Sequence, residues 1–201
     1  MATKESVVPE NYIFFLHNKF LETHELDQAD PQFGKVEYLK IIGGFKKDGF
    51  IVLSEKRKPQ TDVKSYAKKV VSQIDSLFEL GVNPKHITVI GTSKGGYIAQ
   101  YVSTYLAHPN VNYVLIGAFQ DNDITEIPDI QLCGNILNIY EKTDSYGVSM
   151  KKKIARAPLK VKHFEEIELH TGLRHGFLYR AMDQWMVPCK RWARQDYALA
   201  K

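Results

Sequence analysis

Short apolar segments alternate with longer amphipathic segments along this chain. The apolar segments are rich in β-branched and aromatic residues, which is typical of strands. They are almost continuously hydrophobic, which indicates strands that are covered on both faces. Six strands are predicted in this way, at residues 12–16, 50–53, 87–90, 111–117, 135–140 and 163–169.

Helical spacing and local start and stop signals delimit the segments between the strands. A helix is predicted over residues 35–45, and Gly43-Gly44 is expected to end it. A longer helix is predicted over residues 63–80, with Thr61 or Asp62 as its N-cap. Three further helical segments are expected: one that runs to about Leu106, a basic segment before the last strand, and a terminal helix from Phe177 onward.

Strands that alternate with helices predict an α/β protein. The expected architecture is a three-layer α/β/α sandwich around a mostly parallel six-stranded sheet. All 201 residues are expected to form a single domain, with residues 1–11 as a flexible N-terminal arm. In such a sheet, functional residues gather at the carboxyl ends of the strands.

Charge and composition exclude several classes of function. The net charge is +4, and the basic residues are dispersed among acidic ones, which favours a solvated surface over a nucleic-acid interface. The apolar runs are too short to span a membrane, and no signal peptide pattern opens the chain. A cytoplasmic protein is the default expectation, with a leader removed before this sequence begins as the open alternative.

The two cysteines lie at positions that suggest no metal or redox site. Cys133 and Cys189 lack the spacing of metal-binding or redox pairs and are expected to be reduced thiols. No metal and no cofactor is expected. The sequence does not indicate an oligomeric state.

One stretch combines a strand, a sharp turn and a helix. Within it, Gly91-Thr92-Ser93-Lys94-Gly95 fits the G-x-S-x-G pattern of a nucleophile elbow. The turn strains the serine backbone and leaves no room for a β-carbon two residues to either side, where glycines stand. The pattern is short, but a strand before it and a helix after it supply the context that it requires. Ser93 is therefore the candidate nucleophile.

A serine nucleophile needs a histidine base that is held by an acid. Four histidines follow Ser93 in the chain, of which His108 and His163 are expected at the opposite end of the sheet. His170 and His175 follow the carboxyl end of the last strand. His175 stands at a junction between loop and helix and is the preferred base, with His170 as the alternative.

The orienting acid is sought at the ends of the strands before the histidine strand. Asp144 lies four residues past Tyr140, in the turn after the strand that is expected to neighbour the histidine strand. It is the preferred acid, and Asp121 or Asp123 is the alternative. The other interpretation of Asp144 is a turn or helix cap, which aspartate often forms.

An oxyanion hole needs two backbone amides. The first is expected from Lys94, because it follows the nucleophile at a helix N-terminus, where the dipole favours negative charge. The second is expected from the loop after the first strand, with Lys19 as the donor and Phe20 as the alternative. The other interpretation of that loop is an ordinary exit from a strand.

On the residues Gly91–Gly95, Asp144 and His175-Gly176, the chain resembles the α/β-hydrolase superfamily. It is similar to the compact, lidless members, such as dienelactone-hydrolase-like proteins and small esterases, over residues 12–192. The resemblance implies a minimal six-stranded fold without the two leading antiparallel strands. It also implies that Ser93 is the nucleophile, His175 the base and Asp144 the orienting acid, with Lys94 and Lys19 as oxyanion donors.

The chain departs from this superfamily after the first strand. Members usually carry His-Gly there, whereas this chain has His17-Asn18. Asparagine tolerates a left-handed backbone better than most residues, so the turn is expected to persist.

The predicted function is hydrolysis of an ester or thioester of a small molecule through an acyl-enzyme. Glu22 and Arg57 are expected to line a charged rim of an open site, which would favour a polar or charged substrate, and Phe20 is a further candidate for substrate binding. The other interpretation of these charged residues, and the simpler one, is solvation of their loops. An acyltransferase or a peptidase with the same triad is an alternative, as is a non-catalytic binding protein that retains the fold. A nucleotide site is disfavoured because the glycines match neither phosphate-binding pattern.

Overall fold

The computed structural model describes residues 10–156 and 161–198. Residues 1–9 of the expected N-terminal arm lie outside this part. The strands are β1 (Tyr12–Leu16), β2 (Ala29–Asp30), β3 (Gly34–Lys35), β4 (Ile51–Leu53), β5 (Ile87–Thr92), β6 (Asn112–Ile116), β7 (Gly134–Glu141) and β8 (Val161–Leu169).

Six of these strands form one parallel sheet in the order β4-β1-β5-β6-β7-β8. The two short strands β2 and β3 pair separately as an antiparallel hairpin. The predicted six-stranded parallel sheet is thus confirmed. Parallel neighbours require a crossover between them, which explains why strands and helices alternate along the chain.

The crossovers and connections contain six α-helices in the described part of the chain. They are α1 (Tyr38–Lys47), α2 (Val63–Glu79), α3 (Lys94–Leu106), α4 (Asp123–Glu126), α5 (Lys151–Ala155) and α6 (Asp183–Ala193). Asp62 caps α2, because its carboxylate accepts a hydrogen bond of 2.8 Å from the backbone N–H of Ser65. No helix among the described residues is both long and apolar enough to cross a membrane.

Helices cover both faces of the sheet. Ile13 and Phe15 of β1 belong to the core that includes α1 and α6, whereas Phe14 and Leu16 belong to the core that includes α2 and α3. Successive side chains of a strand point to opposite faces, so a fully apolar strand contributes to both cores. This arrangement is the three-layer sandwich that the continuous hydrophobicity of the strands predicts.

Two predicted helix boundaries are wrong. The α1 helix passes through Gly43-Gly44 and ends at Lys47, and the chain turns only at Gly49, whose φ is +84°. Gly44 serves packing instead, since a β-carbon there would lie 2.7 Å from the methyl group of Met186. The terminal helix begins at Asp183 rather than at Phe177, because residues 174–179 form a 3-10 helix.

The paired glycines of α1 give a matched test of this packing. Gly43→Ala is expected to raise the free energy of unfolding by about 0.5–1 kcal/mol, because alanine restricts the unfolded chain and its β-carbon meets open space. Gly44→Ala is expected to stabilise the protein less, because the Met186 methyl group must move. Urea unfolding of the two variants measures the difference. Equal stabilisation would contradict the assigned packing.

Candidate active site

The turn between β5 and α3 holds Ser93 in an unusual backbone conformation. Its φ is +50° and its ψ is −121°, a region that residues with a β-carbon seldom adopt. A β-carbon at Gly91 would lie 2.2 Å from the carbonyl oxygen of Gly95. One at Gly95 would lie 1.9 Å from the carbonyl oxygen of Leu16. The turn thus has the geometry of a nucleophile elbow, and only glycine fits at these two positions.

Ser93 is the first of three side chains, each from a different loop, that are connected by hydrogen bonds. Its Oγ lies 3.0 Å from Nε2 of His175, and Nδ1 of His175 lies 2.7 Å from Oδ2 of Asp144. An ionised Asp144 accepts from Nδ1–H, so Nε2 is left to accept the serine proton. The three side chains follow the carboxyl ends of β5, β8 and β7, as the topology of a parallel sheet allows.

The residues around Asp144 and His175 keep this geometry tight. Both side chains are buried. The backbone N–H of Tyr146 donates to Oδ1 of Asp144 over 2.9 Å. Gly117 follows β6 with φ +55°, and a β-carbon there would lie 3.3 Å from Oδ2 of Asp144 and 3.4 Å from Cε1 of His175. A larger residue at Gly117 would therefore crowd the aspartate and the histidine.

Glu141, the last residue of β7, joins the two loops that carry Asp144 and His175. Its Oε1 accepts the backbone N–H groups of Thr171 and Gly172 over 3.1 and 3.0 Å, and its Oε2 accepts that of Thr143 over 2.7 Å. Burial raises the pKa of Glu141, but these hydrogen bonds outweigh it and hold the pKa below its usual value. A positioning role for this carboxylate was not predicted. Its position at the end of a buried strand was the available signal.

The alternative acids and the alternative base form their contacts with residues other than Ser93 and His175. His170 pairs with Glu168 at the surface, and Asp121 forms an exposed ion pair. Asp123 is buried, where it accepts the hydroxyl of Tyr97 over 2.7 Å. The structure therefore brings together the preferred residues of the predicted triad and not the alternatives.

The two predicted oxyanion donors flank the same serine. Lys94 is the first residue of α3, so its N–H has no acceptor within the helix and lies at the positive end of the dipole. Lys19 stands at the start of the 3-10 turn that follows β1, and it lines the cavity that Ser93 and His175 also line. Their role as donors stays a prediction.

A cavity of about 200 Å³ opens in front of the serine and the histidine. Four aromatic side chains form much of its wall, and Phe33 and Tyr146 also contact the ring of His175, with centroids 5.9 and 4.9 Å away. Such a wall suits a compact, largely apolar group next to the nucleophile. The lining residues are Asn18, Lys19, Phe20, Phe33, Ser93, Tyr146, His175 and Tyr179.

The expected charged rim is corrected by the structure. Glu22 and Arg57 do not line this cavity, because their side chains are only 1% and 0% exposed. They form a buried ion pair, in which Nε of Arg57 donates to Oε1 of Glu22 over 2.9 Å. Phe20 does line the cavity, and its contact with substrate stays a prediction. Charged residues in loops suggested solvation, whereas partners distant in sequence remove these two from solvent.

His17, at the exit of β1, is fixed in one neutral form. The backbone N–H of Arg57 donates to its Nε2 over 2.8 Å, so Nδ1 carries the proton and donates to the carbonyl of Asn18 over 2.7 Å. Burial, and then the charge of Arg57, lowers the pKa of His17 to about 3. His17 is therefore a structural link in the loop before Lys19 and not a proton carrier near neutral pH.

Comparison with known proteins finds similar solved structures but no matching sequence. No protein-family model and no curated protein sequence matches the chain. Among solved structures, SOBER1 of Arabidopsis thaliana is 16% identical with a TM-score of 0.58, and the match covers 93% of this chain and 99% of SOBER1. A mutant of the esterase E40 is 12% identical with a TM-score of 0.64, over 96% of this chain and 79% of E40.

A third similar structure carries the name of the fold. It is an α/β-hydrolase family protein of Desulfitobacterium hafniense, 10% identical with a TM-score of 0.53, over 92% of this chain and 95% of that protein. The chain has the α/β-hydrolase fold. At these identities the likeness establishes architecture, and the chemistry has to be argued from the site.

The neutral form of His17 predicts a specific dependence of stability on pH. The unfolded chain binds a proton at this histidine near pH 6.5, and the folded chain does so only near pH 3. Stability is therefore present above pH 6.5 and is lost as the pH falls toward 3. The contribution of His17 to this slope approaches about 1.4 kcal/mol per pH unit.

Urea unfolding between pH 6 and pH 4 measures this contribution. His17→Gln removes the titrating group, so the free energy of unfolding is expected to fall less steeply in the variant than in the unmodified chain. The difference in slope, rather than the absolute stability, reports the titration. Parallel slopes in the two proteins would show that His17 takes up its proton equally in both states.

Proposed function

We propose that this protein is a serine hydrolase that cleaves a carboxylic ester or thioester through an acyl-enzyme. The observation that carries the proposal is the hydrogen-bonded series Ser93–His175–Asp144 on a strained elbow. A serine alone at a helix N-terminus is common, but a serine at positive φ with a buried histidine and carboxylate behind it serves nucleophilic catalysis.

The first half of the reaction forms the acyl-enzyme. Oγ of Ser93 attacks the carbonyl carbon while Nε2 of His175 takes the hydroxyl proton, and Asp144 stabilises the imidazolium. The carbonyl oxygen becomes an oxyanion, which the N–H groups of Lys94 and Lys19 stabilise. When the intermediate collapses, the alcohol or thiol departs with the proton from His175.

The second half returns the enzyme to its starting state. A water molecule gives a proton to Nε2 of His175 and attacks the acyl carbon bound to Ser93. A second oxyanion forms and collapses, Oγ regains its proton from His175, and the carboxylic acid is released. The cavity of about 200 Å³ beside Ser93 favours a compact acyl group, and its partial openness leaves a route for water.

An ester or thioester is the favoured substrate class for two reasons. Alcohols and thiols are better leaving groups than amines, so an ester or thioester depends less than an amide does on the proton that His175 donates to the leaving atom. One of the proteins with similar structure, E40, is named as an esterase. Transfer of the acyl group to another acceptor uses the same residues, and substrate screening separates it from hydrolysis.

Substitution of the nucleophile tests the proposal directly. Ser93→Ala is expected to abolish labelling by a fluorophosphonate and to lower kcat on short-chain p-nitrophenyl esters by about 10⁴-fold or more. The matched control is Ser72→Ala, which changes an exposed serine on α2 and is expected to leave both readouts unchanged. Absence of labelling and turnover in the unmodified chain, with the fold intact by circular dichroism, would refute the proposal.

Two aspartates separate the orienting acid from its alternative. Asp144→Asn is expected to lower kcat by about 10³–10⁴-fold, because an amide in place of the carboxylate favours the wrong tautomer of His175. Asp121→Asn, which breaks an exposed ion pair, is expected to leave kcat unchanged. Steady-state kinetics on one p-nitrophenyl ester distinguishes the variants. A larger loss in Asp121→Asn would reassign the acid.

A further inference from the structure

Arg57 is buried beneath the loop that leads to Lys19. Its Nη2 donates to the backbone carbonyl of His17, and it also lies 3.3 Å from the carbonyl of Asn18. The backbone N–H of Arg57 donates to the imidazole of His17. A single residue after β4 therefore holds two consecutive peptide groups at the exit of β1.

Glu22 extends this arrangement to the nucleophile elbow. Its Oε1 accepts from Arg57, and its Oε2 accepts from Nζ of Lys94 over 2.7 Å. Lys94 directly follows Ser93 in the chain, and its side chain is only 17% exposed. One buried carboxylate thus joins the loop after β1 to the first residue of α3.

Asn18 adds a local restraint to the same loop. Its side chain is buried, and its Oδ1 accepts the backbone N–H of Leu21 over 3.4 Å. A glycine at this position would lack that bond. The polar contacts of Asn18 and Arg57 together order the segment between β1 and Lys19.

Stability alone is a weak reason for this arrangement. Removing the charges of Glu22 and Arg57 from water is costly, and apolar residues of similar size often stabilise a protein as well or better. The three charged groups instead connect two backbone segments that border Ser93, the loop after β1 and the first turn of α3.

We propose that Glu22, Arg57 and the side chain of Lys94 are positioning residues that set the oxyanion hole. They hold the backbone amides of Lys19 and Lys94 at a fixed separation, so that both meet the oxyanion as it forms. This inference rests on the proposed hydrolase function, and it gives a role to two charged residues that do not themselves touch substrate.

The test compares variants that leave both backbone amides in place. Glu22→Gln keeps the size of the side chain and removes its charge. Lys94→Met removes the ion pair with Glu22. Each is expected to lower kcat on a p-nitrophenyl ester by about ten-fold with KM little changed, because ground-state binding is preserved. This is less than the roughly 10²–10³-fold loss from deleting an oxyanion donor itself.

A boronic acid supplies a readout that a merely structural role would not move. It forms a tetrahedral adduct with a serine and so mimics the intermediate. Its inhibition constant is expected to rise in proportion to the fall in kcat in both variants. Lys94→Arg, which keeps a cation within reach of Glu22, is expected to recover most of the activity. Lys64→Met, which breaks an exposed ion pair with Asp129, is the matched control and is expected to behave as the unmodified chain.

Each outcome bears on one of the two proposals. Unchanged kcat in Glu22→Gln and Lys94→Met, or a loss that only follows the folded fraction measured by thermal unfolding, would overturn the positioning role and leave the hydrolase intact. A rise in KM without weaker boronate binding would overturn it as well. If the folded, unmodified chain neither cleaves esters nor binds the boronate, the hydrolase proposal fails, and the positioning role fails with it.

Discussion

The contact between Gly95 and the carbonyl of Leu16 is the constraint on which the rest of the site depends. The distance of 1.9 Å that a β-carbon would have there shows how closely the first turn of α3 lies against the exit of β1. This close approach sets the left-handed turn at Ser93 beside the loop that carries Lys19. A strained residue persists only where the surrounding structure holds it in place. Here Gly91, Gly95 and the paired strands β1 and β5 hold Ser93.

Buried carboxylates then hold together the loops that the sheet brings to one edge. Glu141 joins the loops of Asp144 and His175, and Glu22 joins the loop after β1 to α3. Loops at strand ends are otherwise the most variable part of such a fold. A site built from several loops therefore needs hydrogen bonds that connect one loop to another. In both cases the carboxylate accepts several hydrogen bonds, which offsets the cost of its burial.

Most of the fold was predictable because its signals are local. Each buried strand is an apolar run, and parallel neighbours require crossovers, which accounts for the helices that alternate with the strands. The proximity of Ser93, Asp144 and His175 was predictable for the same reason, since the carboxyl ends of parallel strands share an edge. The helix boundary at Gly43-Gly44 was not, because a glycine that ends a helix and one that admits a neighbouring methionine look alike in sequence.

By itself, the sequence determined the layers, the parallel sheet and the residue types gathered at its carboxyl edge, since hydrophobic periodicity encodes which face of an element is buried. Only the tertiary structure decided which polar groups pair with one another. Glu22 lies 35 residues from Arg57 in the chain, and His17 lies 40 residues from the same arginine. Hydrophobic periodicity does not indicate which distant residues pair. Glu22 and Arg57, expected on a solvated rim, are therefore found buried beneath the loop beside Ser93.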